Sequence, residues 1–165
     1  MKSILIISLA LLCTSVACAQ NTTIILVRHA EKSNDHTHNP SLSEEGENRA
    51  SELCRVLKHV AIDEIYSTDY ARTQQTVRPV AGMSATEIQI YNPADLQGFA
   101  HLLKSKAGKT IVVAGHSNTT PILVNLLSGS NLDNIEEHDY DNLYIVTCNA
   151  EKCDALTLEY GTKSP

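Results

Sequence analysis

The sequence predicts an α/β fold: a three-layer sandwich with a mostly parallel central sheet, helices on both faces and an antiparallel edge near the C-terminus. Three patterns predict it. Apolar runs of strand length alternate with helical stretches along most of the chain. The first run, Thr23–Val27, is almost continuously apolar, as expected of a strand buried on both faces. The last two β-type segments follow one another with only a turn between them, which adds an antiparallel edge.

After Thr23–Val27 comes a polar loop over residues 31–42. Ser43 then caps a helix running to about Lys58, with Glu44 and Glu45 placed favourably in its first turn and Ala50, Leu53, Cys54 and Leu57 on its apolar face. Glu64–Tyr66 is a short second strand. Thr68 and Asp69 cap a helix through about Val77 that ends near Pro79. Glu87–Tyr91 is the third strand, and Ala94–Lys106 is a helix stopped by Gly108. Thr110–Ala114 is the fourth strand, followed by a helix over Pro121–Leu127 closed by Gly129. Leu143–Thr147 and Ala155–Glu159 complete the sheet.

The chain has 165 residues, 42% hydrophobic and 19% charged, which suits one compact domain spanning residues 20–165. Residues 1–19 read as a secretory signal: Lys2, the apolar run Ile4–Leu12, then small residues ending in Ala17-Cys18-Ala19, too short to span a bilayer. Cleavage after Ala19 frees a soluble periplasmic or secreted protein beginning at Gln20, and this is the favoured reading. Cleavage before Cys18 is the alternative and leaves a lipid anchor on the cell envelope, although Ser15 fits the start of a lipoprotein box poorly. In an oxidising compartment Cys148 and Cys153, which flank the turn sequence Asn149–Lys152, are candidates for a hairpin disulfide. Cys54 reads as a buried thiol.

The net charge of −6 argues against nucleic acid or an anionic membrane surface as a partner. An anion must therefore be held by a local cationic cluster. Parallel sheets collect functional groups beyond the carboxyl ends of their strands. There the sequence delivers Arg28 and His29 after the first strand, Arg72 after the second and His116 after the fourth. Guanidinium groups offer paired donors that match phosphate oxygens, so a small phosphorylated substrate is the expected ligand.

Three blocks carry a family resemblance: Leu26-Val27-Arg28-His29-Ala30-Glu31-Lys32, then Ile65–Thr76 around Arg72, then Val113-Ala114-Gly115-His116-Ser117-Asn118, with Leu42–Gly46 between the first two. Together they resemble the histidine phosphatase superfamily, the phosphoglycerate-mutase-like group, in the family's order. The resemblance implies that His29 attacks phosphorus and becomes a phosphohistidine, which water then hydrolyses. It implies that Arg28, Arg72 and His116 hold the equatorial oxygens, with no metal or other cofactor. The general acid is open: Asp95 and Glu31 are candidates, Asp95 equally as the N-cap of its helix. Asn34 and Asn118 are either phosphate contacts or, respectively, a turn residue and a helix cap. His36 and His38 read as solvated loop, and Glu136–Asp141 as a solvated acidic connection that disfavours polyanions if it borders the site.

The small interval between Arg72 and the fourth strand, one strand and one helix, favours an open phosphatase site over a mutase. A protein phosphohistidine phosphatase is the rival enzyme. A phosphate- or phosphosugar-binding envelope protein without turnover is the rival of another class.

Overall fold

A computed structural model describes residues 21–164; the signal reading for residues 1–19 and the fate of Cys18 lie outside them. The strands are β1 (Thr22–Arg28), β2 (Glu64–Ser67), β3 (Ile88–Ile90), β4 (Thr110–Gly115), β5 (Asn142–Cys148) and β6 (Cys153–Glu159). The helices are α1 (Glu44–Val56), α2 (Ala71–Ser84), α3 (Leu96–Lys104) and α4 (Thr119–Ser128). One six-stranded sheet runs in the order β3-β2-β4-β1-β5-β6. Its first four strands are mutually parallel, and β5 and β6 add antiparallel. This is the three-layer α/β arrangement expected from the sequence.

The alternation within β1 builds both cores at once, because successive strand side chains point to opposite faces. Ile24 and Leu26 pack with Phe99 and Leu103 of α3 and Leu123 and Val124 of α4. Ile25 and Val27 pack with Leu53 of α1 and Val77 and Val80 of α2. The helices following β1 and β2 thus cover one face, while those following β3 and β4 cover the other. A crevice opens where the chain changes face, at the carboxyl ends of the central strands.

Three helices differ from expectation in their bounds, α4 by beginning at Thr119 instead of Pro121. α2 begins at Ala71 behind Tyr70, which makes no side-chain cap bond, and it runs through Pro79 to Ser84. An interior proline costs roughly 3 kcal/mol. Burying Val77 and Val80 on either side of it returns about 1.5–3 kcal/mol each, so packing carries the helix past the break. α3 starts two residues later than read, because Asp95 turns its carboxylate onto the Gly98 amide at 2.9 Å. It also ends at Lys104, before Gly108, which instead takes a positive φ in the turn into β4.

Ser43 accepts a hydrogen bond from the Gly46 amide and is the N-cap of α1. Cys54 is partly buried, its Sγ 3.4 Å from the Pro79 carbonyl. Cys148 and Cys153 face each other in the β5–β6 register and are joined by a disulfide. No helix among the described residues is long and apolar enough to cross a membrane.

Gly46 fixes how closely α1 approaches the segment after β1. A Cβ at this position would overlap the Glu31 backbone carbonyl, which already accepts the Ser43 amide at 2.9 Å. Backbone cannot yield as a flexible side chain can. Gly46→Ala is therefore expected to cost about 1–3 kcal/mol in urea denaturation. Gly82→Ala, in α2 with nothing within 4 Å of the added methyl, should instead be neutral or gain up to about 1 kcal/mol.

Candidate active site

The register places three strand ends level with one another. Arg28 of β1 pairs with Gly115 of β4, and Ser67 of β2 pairs with Ala114. The His29 amide donates to the Gly115 carbonyl at 2.8 Å, extending the ladder one residue past β1. Gly115 is tightly enclosed, for a Cβ would come within 2.9 Å of the Thr119, Thr120 and Tyr91 hydroxyls. Arg28, His29, Arg72 and His116 all line one cleft of about 500 Å³ at this sheet edge.

The His29 tautomer follows from its partner. Nδ1 lies 2.8 Å from the Ala30 carbonyl, an atom that can only accept, so Nδ1 carries the proton. Nε2 is left with its lone pair. The ring is 4% exposed, and burial is the main reason its pKa falls from 6.5 to about 3. The bond to Ala30 opposes that fall, whereas the charges of Arg28 and Arg72 add to it. The imidazole is neutral at any ordinary pH. The Ala30 amide in turn donates to Thr76 of α2 at 2.9 Å, which anchors the turn carrying His29.

His116 stands 5.5 Å from His29, ring centroid to centroid, in an edge-on arrangement. Its Nε2 is 3.0 Å from the Thr68 hydroxyl, itself 2.9 Å from the Thr73 hydroxyl. The Thr73 hydroxyl also lies 2.8 Å from the Tyr70 carbonyl. A hydroxyl both donates and accepts, so Thr68 can serve either tautomer of His116. Burial, then Arg72 and Arg28, pushes this ring down to about 4.

Arg28 is 2% exposed. Its Nη1 donates to the carbonyls of Glu136 and Asp139 at 2.7 and 2.8 Å, and its guanidinium lies 4.1 Å from the Tyr140 ring centroid. The Arg72 guanidinium lies 4.5 Å from the Tyr70 ring centroid. Burial, and then the repulsion of Arg28, shifts the Arg72 pKa down. Both Nε atoms are buried without a hydrogen-bond partner among the described residues. Unpaired buried donors on two adjacent cations leave the cleft short of an anion.

The remaining candidates divide. Asn118 lines the cleft and makes no side-chain cap bond, although it occupies the N-cap position of α4. Asp95 spends its carboxylate on capping α3. Glu31 points away from the cleft into a bidentate pair with Arg49, with oxygens 2.7–3.0 Å from the guanidinium nitrogens. Asn34 is exposed in the 31–42 loop and borders a neighbouring cavity of about 650 Å³ that contains neither site histidine. His36 and His38 are exposed. Sequence reasoning missed Tyr70, Lys32 and Glu137, which also line the cleft, and Tyr140, which stacks on Arg28. Tyr70 and Lys32 lay inside the matched blocks, but nothing local signalled that the 136–140 connection folds back over Arg28.

A family model described as histidine phosphatase superfamily (branch 1) matches residues 24–93, which contain the Arg28-His29 and Arg72 blocks. Over that span the chain resembles the histidine phosphatase superfamily. Several solved structures share its fold. The protein histidine phosphatase SixA complexed with tungstate has a TM-score of 0.70 at 15% identity, covering 83% of this chain and 96% of that one. A mycobacterial glucosyl-3-phosphoglycerate phosphatase gives 0.67 at 11%, covering 87% and 100%. A phosphoglycerate mutase from Bacillus anthracis gives 0.63 at 14%, covering 85% and 93%. No curated protein sequence matches the chain.

The buried neutral histidines make this protein acid-sensitive. Unfolded histidine binds a proton below about pH 6.5, whereas folded His29 and His116 do so only near 3 and 4. Between those limits the unfolded state holds more protons, so stability falls as pH falls. Each ring should contribute a slope of roughly 1.4 kcal/mol per pH unit across that window. Urea melts of wild type and His29→Asn from pH 7 to pH 4.5 should converge by about that slope. Parallel curves would show that His29 titrates normally.

Proposed function

We propose that this protein is a phosphatase that hydrolyses a phosphomonoester or related phosphoryl group through a phosphohistidine on His29. One observation carries the reading: a buried neutral imidazole, its Nδ1 proton fixed on Ala30, faces a cleft lined by the buried guanidinium of Arg28 and the half-buried one of Arg72. A neutral ring with a free Nε2 lone pair is the nucleophilic form. Guanidinium donors placed around the phosphoryl oxygens offset the charge these carry in the transition state.

The chemistry has two displacements. Nε2 of His29 bonds to phosphorus as the ester P–O bond breaks, and the leaving oxygen takes a proton. Water then attacks phosphorus, the P–N bond breaks, and the water's extra proton is removed. His116 lines the same cleft beside His29, where its ring can donate to a phosphoryl oxygen.

The comparison with a mutase does not extend the reading to phosphoryl transfer between hydroxyls. Only β3 and α3 stand between the Arg72 helix and β4, leaving no long insertion to close over the cleft. A protein phosphohistidine phosphatase is the second reading, favoured by the overlap with the SixA fold. A cleft bounded by short connections would admit a phosphorylated side chain.

The decisive assay incubates full-length protein with a panel of phosphorylated compounds in the presence of a chelator. Wild type should release inorganic phosphate and, on rapid quenching without acid, carry labelled phosphate on His29. His29→Ala should lose at least about 10³-fold in kcat and carry no label. Phosphate binding without label or turnover would identify a receptor. Turnover abolished by the chelator would identify a metal enzyme.

We infer further that the protein is exported. The reading rests on the signal pattern of residues 1–19 and gains support from the Cys148–Cys153 disulfide, a bond typical of oxidising compartments. Intact mass measured after expression of the full chain should correspond to a protein beginning at Gln20. A lipid-modified Cys18 would establish the envelope-anchored form, and an unprocessed Met1 in the cytoplasm would overturn export.

A further inference from the structure

Phosphate-ester cleavage with an alkoxide leaving group needs a proton donor beside the leaving oxygen. The two acids nearest the sequence blocks are occupied elsewhere: Asp95 caps α3 and Glu31 is clasped by Arg49. Glu137 is the one carboxylate lining the cleft among the described residues. Its side chain is 62% exposed, with oxygens 3.6 Å from Arg28 Nη2 and 3.5 Å from Lys32 Nζ. Both distances exceed those of a tight charge-assisted bond, so the carboxylate is near the cations without being locked to them.

Its position is fixed by the backbone on either side. The Ile135 amide donates to the Ser117 carbonyl at 2.9 Å, next to His116. The Glu136 and Asp139 carbonyls both accept from Arg28, and the Asp139 amide closes a turn onto the Glu136 carbonyl at 3.1 Å. Glu137 therefore rides on a turn tied at both ends to residues of the cleft. The cation that is available to phosphate also holds the turn carrying the acid.

Resting on the phosphatase reading above, we propose that Glu137 is the general acid, and in the second step the general base, of this active site. A phosphoryl dianion seated on Arg28 would lie beside the Glu137 carboxyl, 3.6 Å from Arg28 Nη2, within reach of the leaving oxygen. In the first displacement the Glu137 proton passes to the leaving oxygen as the P–O bond breaks and the His29 Nε2–P bond forms. In the second, the Glu137 carboxylate takes a proton from water as its oxygen bonds to phosphorus and the N–P bond breaks. The acid is then restored, and the sum is ester plus water giving alcohol plus phosphate.

The test compares full-length wild type and Glu137→Gln on p-nitrophenyl phosphate, whose leaving group departs without protonation, and glycerol phosphate, whose leaving group does not. The variant should lose about 10²–10⁴-fold in kcat on glycerol phosphate, and the loss on the aryl ester should be at least about tenfold smaller. The phosphohistidine label from the aryl ester should persist. Equal losses on both esters would overturn the proposal, since they would mean that Glu137 only shapes the turn. Gains on both, with tighter binding of inorganic phosphate, would also overturn it, by showing a carboxylate that competes for Arg28. So would a wild type that cleaves the aryl ester alone. A wild type that releases phosphate from neither ester and takes no label would bring down the phosphatase reading itself.

Discussion

Arg28 is a guanidinium at the end of the central strand, buried to 2% exposure, and a charge taken so far from water needs compensation on every side. Two carbonyls of the α4–β5 connection accept from it, the Tyr140 ring lies against its face, and Nε remains unpaired beside the cleft. One residue thus ties β1 to a connection more than a hundred positions away in sequence and also leaves a donor for a ligand. The shape of the cleft rim depends on this contact. Without it, the acidic turn would have no reason to lie over the site.

Cationic surroundings have a second consequence. Two imidazoles beside two guanidinium groups would repel one another if charged, and burial makes charging costlier still, so both rings are held neutral. Neutrality is what a nucleophilic nitrogen needs. The anion site and the nucleophile therefore arise from a single electrostatic arrangement. The cost is a cluster of partly desolvated cations, offset in part by the Glu137 carboxylate beside Arg28.

Much of the fold was legible in local patterns. The continuous apolar run Thr23–Val27 named a strand with two buried faces, and Ser43 with Glu44 and Glu45 marked the start of α1. Pro79 misled because an intrinsic helix break was weighed without the packing of Val77 and Val80 around it. In the site, Arg28, His29, Arg72 and His116 were legible because each follows a strand and sits in a recognisable block. Glu137 and Tyr140 were not, because a run of acidic residues looks the same whether it faces solvent or curls over a buried arginine.

The sequence by itself determined the strand and helix order, the resemblance to the superfamily and the four residues that converge at the sheet edge, since these depend on periodicity and on short contiguous motifs. Tertiary structure decided which nitrogen of His29 bears the proton, that Asp95 caps a helix and Glu31 is taken by Arg49, and which acid is left lining the cleft. Those outcomes turn on side-chain directions at the scale of a single hydrogen bond, whether the partner is a neighbour, as Ala30 is to His29, or distant in the chain, as Arg28 is to Glu137.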